Sequence, residues 1–448
     1  MLKGRWMKPK TDVDHDIIVV GGGFAGVTAA RDCRKNGWRT LLLEARDRLG
    51  GRTYTTQLAG HKVELGGTWI HWRQPFVWAE KERYGLEVRE TPGNVDPATE
   101  EVALLVRGER VLLRGQQMQP VVEALNRYFA DAQALWERPF DAHHTWPRLF
   151  ARDGMSAWDR LVQMDLAEPQ RSAVGCYLDA LANGTSREVS YNEVARWWAL
   201  SGHSLPALDD ACGRYALKDG TAALLEAMVK DGRPEVRLST PVQGISDEGD
   251  HVVVTTHAGE QIRAGSVIVT LPMNVLPSVE FSPALDPMLV QAAGERHAGR
   301  GLKVVMKTRG NLGGVSKRLG LGGPELPLNI VFTYAKADDH CLHVGFGSDA
   351  TKLDLNDREQ VQEAARAFFP DMEVEECMGH DWVNDPYSLG TWTNYKAGWL
   401  EKYHAHFQQD RGRILFGQGD HGEGWRGFID GAIAAGSKAA LRAEGVLG

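Results

Sequence analysis

The sequence has no long apolar run and no excess of positive charge, and each absence excludes a class of protein. No stretch approaches the roughly 20 apolar residues that a membrane-spanning helix requires. The four basic residues among the first ten are not followed by the apolar stretch of a signal peptide. The formal net charge of −8 gives no general reason to bind nucleic acid or an anionic membrane. We therefore predict a protein whose partners include neither nucleic acid nor membranes.

Cysteine is also scarce. The five cysteines are scattered and form no CxxC pair: Cys33, Cys176, Cys212, Cys341 and Cys377. This pattern predicts reduced thiols in a cytoplasmic protein, with no disulfide framework, no metal site and no catalytic cysteine. The composition, 43% hydrophobic and 25% charged, is that of an ordinary globular protein. A chain of 448 residues is long enough for two domains or one large composite.

The opening of the chain follows a β-α-β pattern around a glycine-rich turn. The apolar stretch 16–20 predicts a strand, 24–36 a helix, and 40–44 a second strand. Between the first strand and the helix, Gly21 permits a tight turn, Gly23 lets the backbone approach a pyrophosphate, and Gly26 allows close packing of the helix on the strand. Glu44, at the end of the second strand, is placed to accept hydrogen bonds from a ribose. Together these features predict a dinucleotide site.

The rest of the chain changes period several times. Residues 117–200 have helical spacing, whereas residues 235–272 alternate with the period of strands. Further strands are predicted at 302–307, 328–333, 342–345 and 413–416, with helices at 358–369 and from about 427 onward. A final strand and helix that return to the first unit indicate a discontinuous nucleotide-binding domain. The predicted fold is an α/β (α+β composite) with a Rossmann-like domain and a second domain of mixed sheet and helices.

The predicted domain boundaries follow from this order. The nucleotide-binding domain is assembled from residues 1–75, 220–298 and 389–448. The substrate domain is assembled from residues 76–219, which are mainly helical, and 299–388.

Three separated motifs make the resemblance to a family specific. Residues 44–52 (EARDRLGGR), 64–70 (ELGGTWI) and 424–436 (GWRGFIDGAIAAG) resemble, in the same order, motifs of the flavin amine oxidases, the family that includes the monoamine oxidases. The aromatic run 69–80 is similar to that of the bacterial nicotine and pseudooxynicotine-type amine oxidases. The resemblance covers both ends of the chain and implies bound FAD.

The resemblance also implies which residues contact FAD. Arg52 would hold a phosphate, Gly66, Gly67 and Thr68 would pass the flavin ring, and Asp420 would replace a usual glutamate at the ribityl chain. Thr391 stands where the monoamine oxidases carry a flavin-linking cysteine, so the FAD is expected to be non-covalent. The predicted cofactor residues are Gly21, Gly23, Phe24, Ala25, Gly26, Glu44, Ala45, Arg46, Gly51, Arg52, Gly66, Gly67, Thr68, Trp69, Val242, Asp420, Gly427, Phe428 and Ile429.

Four residues are predicted to act on the substrate or on the reaction. Lys303 matches the family's lysine that reaches the flavin through a water, and a lysine within an apolar strand is costly to bury without a role. Trp392 and Phe428 match the two rings of the family's aromatic cage. We therefore assign catalytic roles to Lys303, Trp392 and Phe428. The aromatic run adds Trp72 to Trp392 and Phe428 as predicted substrate contacts.

The implied reaction is oxidation of a C–N bond in a small apolar or heteroaromatic amine, by hydride transfer to the flavin. Oxygen, with hydrogen peroxide as its product, is the favoured electron acceptor over an electron-carrier protein. Two alternatives stay open: an L-amino acid oxidase with Arg73 as the carboxylate anchor, and a flavin-binding scaffold without activity. The sequence leaves open whether the chain forms a homodimer.

Overall fold

A computed structural model describes residues 13–92, 99–407 and 409–447 of the chain. Its strands, in chain order, are β1 (His15–Val20), β2 (Thr40–Leu43), β3 (Thr55–Leu58), β4 (His61–Glu64), β5 (Trp69–Ile70), β6 (Val88–Glu90), β7 (Glu101–Val106), β8 (Glu109–Arg114), β9 (Tyr215–Leu217), β10 (Glu235–Arg237), β11 (Val242–Asp247), β12 (Val252–Thr256), β13 (Gln261–Val269), β14 (Glu280–Ser282), β15 (Leu302–Arg309), β16 (Arg318–Leu321), β17 (Ile330–Lys336), β18 (His340–Gly347), β19 (Val374–Gly379) and β20 (Ile414–Phe416).

The helices, in chain order, are α1 (Phe24–Lys35), α2 (Pro75–Arg83), α3 (Gln119–Tyr128), α4 (Ala132–Leu135), α5 (Ala142–Phe150), α6 (Ala157–Val162), α7 (Glu168–Ala182), α8 (Tyr191–Ser201), α9 (Leu205–Gly213), α10 (Thr221–Gly232), α11 (Pro287–Glu295), α12 (Arg358–Arg366), α13 (Trp399–Tyr403) and α14 (Ile429–Leu447). No helix in the described ranges is both long and apolar enough to cross a membrane.

The larger sheet joins segments that are far apart in the chain. Its strands run in the order β10-β2-β1-β13-β12-β11-β14, and β20 pairs with β13. The central strands β2, β1, β13 and β20 are parallel, and their ends lie level, with Val20 opposite both Leu43 and Val269. Every residue of β2 is buried, as expected for a parallel strand that is covered on both faces. The discontinuous, Rossmann-like fold predicted from the sequence is confirmed.

Helices α1, α10 and α14 pack together beside this sheet. The crossing of α1 and α14 is unusually close, because a Cβ at Gly436 would lie 2.1 Å from the carbonyl oxygen of Ala25. Asp430, in the first turn of α14, accepts hydrogen bonds from the backbone amides of Phe76 (2.6 Å) and Val77 (3.0 Å) at the start of α2. The last helix is therefore tied to both N-terminal helices.

A second sheet of seven strands has the order β19-β15-β18-β17-β16-β7-β8. All its pairs are antiparallel except β16 with β7. The hairpin β7–β8 differs from the prediction, since it lies within residues 76–219, which are predicted to be mainly helical. The helical block is otherwise as expected, with α3, α7 and α8 in contact. The domain boundaries given above stay a prediction.

Candidate cofactor and substrate site

One elongated cavity of about 580 Å³ runs between the two sheets and the helical block. Residues from all three predicted segments of the nucleotide-binding domain line it, as do residues from both segments of the substrate domain. Every cofactor and substrate residue predicted from the sequence lies in its wall except Gly26, Asp420 and Trp72. The cavity therefore brings together residues that are more than four hundred positions apart in the chain.

One end of the cavity is formed by the glycine-rich turn between β1 and α1. A Cβ at Gly26 would lie 1.8 Å from the carbonyl oxygen of Gly21, so only glycine allows the helix to start this close to the strand. At Gly23 the nearest atom to such a Cβ is the Cα of Gly51, at 3.8 Å, which leaves the turn open to a bound group. Because a helix N-terminus attracts negative charge, this end of the cavity suits a pyrophosphate.

Glu44 lies at the end of β2, where the sequence placed it. Its carboxylate accepts hydrogen bonds from the backbone amides of Gly22 (2.6 Å) and Arg46 (2.9 Å). Each oxygen of an ionised carboxylate can accept a further bond. The two amides therefore fix the orientation of Glu44 in the cavity wall and leave it able to accept hydrogen bonds from ribose hydroxyls. Val242, at the start of β11, lies in the same part of the wall.

The guanidinium groups of Arg46 and Arg52, in the motif at residues 44–52, bind protein groups. Arg46 donates to Asp385 (2.7 Å) and to the hydroxyl of Ser388 (2.8 Å). Arg52 donates to the carbonyl of Thr391 (2.8 Å) and pairs with Asp420. Both arginines line the cavity while holding the chain segments opposite them in place.

Asp420 lies behind the wall and is fully buried. Its carboxylate accepts hydrogen bonds from Arg52, from the hydroxyl of Thr393 and from the backbone amide of Met273 (2.8 Å). Although burial favours the neutral acid, the positive charge of Arg52 holds the pKa of Asp420 well below its ordinary value. The ionised carboxylate thus joins three segments that border the cavity. Its predicted contact with the ribityl chain stays a prediction.

Lys303 reaches the middle of the cavity from β15. Its ammonium donates to the carbonyl of Gly66 (2.8 Å) and to the hydroxyl of Thr68 (2.5 Å), and it lies 5.2 Å from the ring of Trp69. The side chain is buried, and burial lowers the pKa of Lys303 to about 7, against the opposing effect of the Glu64 carboxylate. A buried lysine that titrates near neutrality, in a cavity wall, is typical of a functional site.

The start of α14 faces the same part of the cavity. Gly427 has a φ of 83°, and a Cβ there would lie 2.9 Å from the carbonyl oxygen of Thr393, so the turn before the helix requires glycine. Gly427, Phe428 and Ile429 all line the cavity. Because α14 begins at Ile429, the positive end of its dipole points toward this region.

Aromatic side chains form the neighbouring wall. The indole of Trp392 donates to the carbonyl of Leu181 (2.9 Å), and its ring meets Phe346 edge-on with the centroids 5.7 Å apart. The ring of Trp197, in α8, lies 4.5 Å from that of Phe428 and 6.2 Å from that of Trp392. The rings predicted at 392 and 428 thus border one apolar compartment, and Trp197 connects them. Periodicity predicts a helix at Trp197, but it cannot show that the side chain faces a cavity.

Trp72 does not lie in this compartment, and the structure gives no support to its predicted contact with the substrate. Its side chain is 48% exposed and packs against His71, Trp78 and Tyr215 outside the cavity wall. The ring of His71 hydrogen-bonds to Asp210 (2.8 Å) and accepts a bond from the backbone amide of Arg73. The aromatic run leaves the cavity after Trp69, because β5 ends at Ile70.

The family of the chain follows from comparisons with known proteins. Residues 24–443 match the family model of flavin containing amine oxidoreductases. The pseudooxynicotine dehydrogenase of a Pseudomonas species is 38% identical over 95% of this chain and 86% of its own length. The (S)-6-hydroxynicotine oxidase of Paenarthrobacter nicotinovorans is 30% identical over 94% of this chain and 97% of its own length.

A solved structure shows the same fold. The cyclohexylamine oxidase of Brevibacterium oxydans superimposes with a TM-score of 0.81 at 21% identity, over 97% of this chain and 99% of that one. The matched motifs, the fold and the relatives over nearly the whole length agree with the resemblance found in the sequence. The chain belongs to the family of flavin-containing amine oxidoreductases.

Proposed function

We propose that this FAD-dependent amine oxidoreductase oxidises a small, largely apolar or heteroaromatic amine and passes the electrons to oxygen. The observation that carries the proposal is the juxtaposition of the buried Lys303 with an aromatic compartment in one cavity wall. In this proposal Trp392 and Phe428 hold the amine, and Lys303 assists reoxidation. The relatives bear names of both dehydrogenases and oxidases, so their names leave the acceptor undecided.

The glycine-rich turn would hold the pyrophosphate of FAD, and Glu44 would bind a ribose. The start of α14 would lie at the flavin ring. When bound, FAD would supply a two-electron acceptor for a hydride from the carbon next to the neutral amine nitrogen, and the product would be a protonated imine that water hydrolyses. The dipole of α14 would stabilise negative charge at the flavin end of the cavity. Gly66 and Gly67 have no side chains, so the backbone can lie against a planar ring.

The aromatic compartment determines what the chain does to an amine. Trp197, Trp392 and Phe428 surround it with apolar ring surface, which removes water from the amine and favours the neutral form that donates a hydride. The faces of the same rings attract a protonated amine as it enters. The chain thus orients the substrate and excludes water without requiring a side chain that acts as a base.

The structure offers no support for an L-amino acid oxidase anchored by Arg73. The side chain of Arg73 is exposed and lies outside the cavity wall. A carboxylate anchor would need a buried guanidinium within reach of the substrate.

The proposed activity is tested by anaerobic flavin bleaching. Addition of alkyl, benzyl and pyridylalkyl amines to the oxidised holoenzyme is expected to remove the flavin absorbance near its visible maximum. Matching L-amino acids, which add only a carboxylate, are expected to bleach the flavin much more slowly. Bleaching by amino acids alone would support the rival enzyme, and no bleaching by any compound would support a scaffold without activity.

The flavin is expected to be released intact when the protein is denatured in acid. Thr391 has a hydroxyl in place of a thiol, so it cannot form a thioether with the flavin ring. The only cysteine in the described cavity wall is Cys212, in α9, and burial raises the pKa of its thiol, which disfavours the reactive thiolate. Flavin fluorescence in the supernatant measures release. A yellow precipitate over a colourless supernatant would show covalent attachment.

Truncation of Trp392 to alanine is expected to lower the rate constant of flavin reduction by the best amine about 10- to 100-fold, because the amine loses one wall that orients it. Trp72→Ala is the matched control, since it removes the same side chain from the exposed position outside the cavity. We expect the control to change the rate less than about 2-fold. Equal rates for Trp392→Ala and the parent protein would show that Trp392 only fills the core.

A further inference from the structure

The cavity continues beyond the aromatic compartment to an end that carries polar groups. Asp209 reaches this end from α9, Tyr177 reaches it from α7, and Lys317 reaches it from the residue before β16. None of these side chains has a role in the reaction proposed above. None of the three belongs to a motif that is recognisable in the sequence, because single polar residues have no characteristic spacing.

This polar end is well separated from Lys303. The ammonium of Lys303 lies 5.2 Å from the ring of Trp69, which lies 5.6 Å from the ring of Phe332. The ring of Phe332 in turn lies 6.0 Å from the ammonium of Lys317. Two aromatic side chains therefore stand between the two lysines along this wall. A ligand that touches both ends must be elongated.

Asp209 makes no hydrogen bond and no ion pair within 4 Å with any residue that the structure describes. Its neighbour Asp210, on the same helix, has two partners. The Asp210 carboxylate binds His71 at 2.8 Å and Arg214 at 3.1 Å. The side chain of Asp209 is only partly buried, and it lines the cavity. The Tyr177 hydroxyl in the same wall also lacks a partner within the described ranges, although that residue is only 6% exposed.

The charges at this end do not balance. The Lys317 ammonium lies 3.5 Å from Glu100, and both groups act on Asp209. When all three groups are ionised, Asp209 and Glu100 carry two negative charges and Lys317 carries one positive charge. One negative charge is therefore not neutralised. Burial raises the pKa of Asp209 to about 6, with Lys317 opposing the shift. A carboxylate kept away from bulk water without a partner is costly, and a bound cation would offset that cost.

We propose that Asp209 binds a second basic nitrogen of the substrate, as an N–H⁺ donor to its carboxylate, while the amine to be oxidised lies between Trp392 and Phe428. The Tyr177 hydroxyl completes the pocket as a further hydrogen-bonding group. The substrate class is then an elongated amine with two basic nitrogens. An aliphatic ammonium and a protonated pyridine share this chemistry. This inference rests on the proposed amine oxidation and narrows its substrate.

The experiment compares matched amines by anaerobic stopped-flow reduction of the holoenzyme. One set pairs α,ω-diamines with alkylamines of the same length, and a second set pairs 3-pyridylalkylamines with phenylalkylamines. In at least one set, the parent protein is expected to be reduced more efficiently by the amine that has the second nitrogen. A preference in the first set would indicate an aliphatic ammonium, and one in the second set would indicate a pyridine nitrogen. Asp209→Asn is expected to lower the efficiency of reduction by that member about 30-fold, because a desolvated ion pair is lost.

Two controls separate this effect from damage to the fold. The efficiency of reduction by the monobasic member of the pair should change less than about 3-fold in Asp209→Asn. Asp210→Asn, which removes a carboxylate from the adjacent position outside the cavity wall, should leave the preference within each pair unchanged. If Asp209→Asn loses its flavin, the inference is tested only by whether the parent protein is reduced more efficiently by the dibasic member of a pair.

Equal efficiency for both members of every pair, or an equal loss for both in Asp209→Asn, would overturn the role of Asp209. Either result would leave amine oxidation intact. Failure of all the amines to reduce the flavin would overturn the proposed function itself, and with it this inference.

Discussion

Replacement of Lys303 by methionine is expected to slow reoxidation of the reduced enzyme by oxygen about 100-fold, with much less effect on reduction by the amine. Oxygen gains negative charge when it accepts the first electron, and a nearby ammonium stabilises that charge. A unit charge about 5 Å away contributes about 3 kcal/mol at an effective dielectric constant of about 20. This energy corresponds to about 100-fold in rate. Stopped-flow mixing of reduced enzyme with oxygen measures the step directly.

The pH dependence gives a second measurement of the same effect. Burial lowers the pKa of Lys303 to about 7, so the side chain is cationic below that pH and neutral above it. Reoxidation of the parent protein should therefore become slower as the pH rises through about 7. The methionine variant has no group to titrate there, and its rate should stay flat over the same range.

Lys307→Met is the matched control, because Lys307 lies on the same strand but pairs with Glu375 at 3.0 Å near the surface. It should leave both half-reactions unchanged. An unchanged rate of reoxidation in Lys303→Met would remove Lys303 from the reaction with oxygen. A loss of flavin in that variant would instead indicate that its bonds to Gly66 and Thr68 shape the cofactor site.

Alanine at Gly26 is expected to abolish flavin binding and to lower the free energy of unfolding by at least about 3 kcal/mol. The new Cβ would lie 1.8 Å from the carbonyl oxygen of Gly21, a backbone atom that no change of rotamer can move. Helix α1 would have to shift away from β1, and the amides at its start would leave the pyrophosphate position. Flavin absorbance after gel filtration and urea unfolding of the flavin-free protein measure the two effects.

Gly294→Ala is the control for this prediction, because it places the same substitution in a helix where nothing lies within 4 Å of the new Cβ. Alanine is a better helix former than glycine, so this variant should be more stable by about 0.5–1 kcal/mol. The two substitutions should therefore change the free energy of unfolding in opposite directions. A stable, yellow Gly26→Ala protein would contradict the close packing of α1 on β1.

The nucleotide-binding part was the most predictable from the sequence, since its signals are local. A strand, three glycines and an acid at the next strand end belong to one β-α-β unit, and their spacing alone places Glu44 beside the turn. The lysine in β15 was also detectable, because a charged residue within an apolar strand stands out. Its partners Gly66 and Thr68 were predicted as flavin contacts through the resemblance, but not as acceptors of its hydrogen bonds.

The other end of the cavity could not be predicted because its features depend on long-range packing. Trp72 has the same local surroundings in sequence as Trp69, and only the end of β5 decides which of them faces the cavity. Similarly, Asp209 and Asp210 are adjacent and chemically identical. The direction in which α9 packs leaves one unpaired in the cavity and pairs the other with His71. Periodicity marks a helix as buried but does not show which buried face borders an empty space.

The order of synthesis has a consequence for how the holoenzyme forms. Strand β20 pairs with β13, and the cavity wall includes residues up to Ala432, very near the end of the chain. Until α14 has been synthesised, α1 lacks its partner helix, and the flavin end of the cavity is open. We therefore expect the growing chain to have no complete site for the cofactor before that point. Insertion of the flavin then has to wait until the residues around Ile429 have joined the first β-α-β unit.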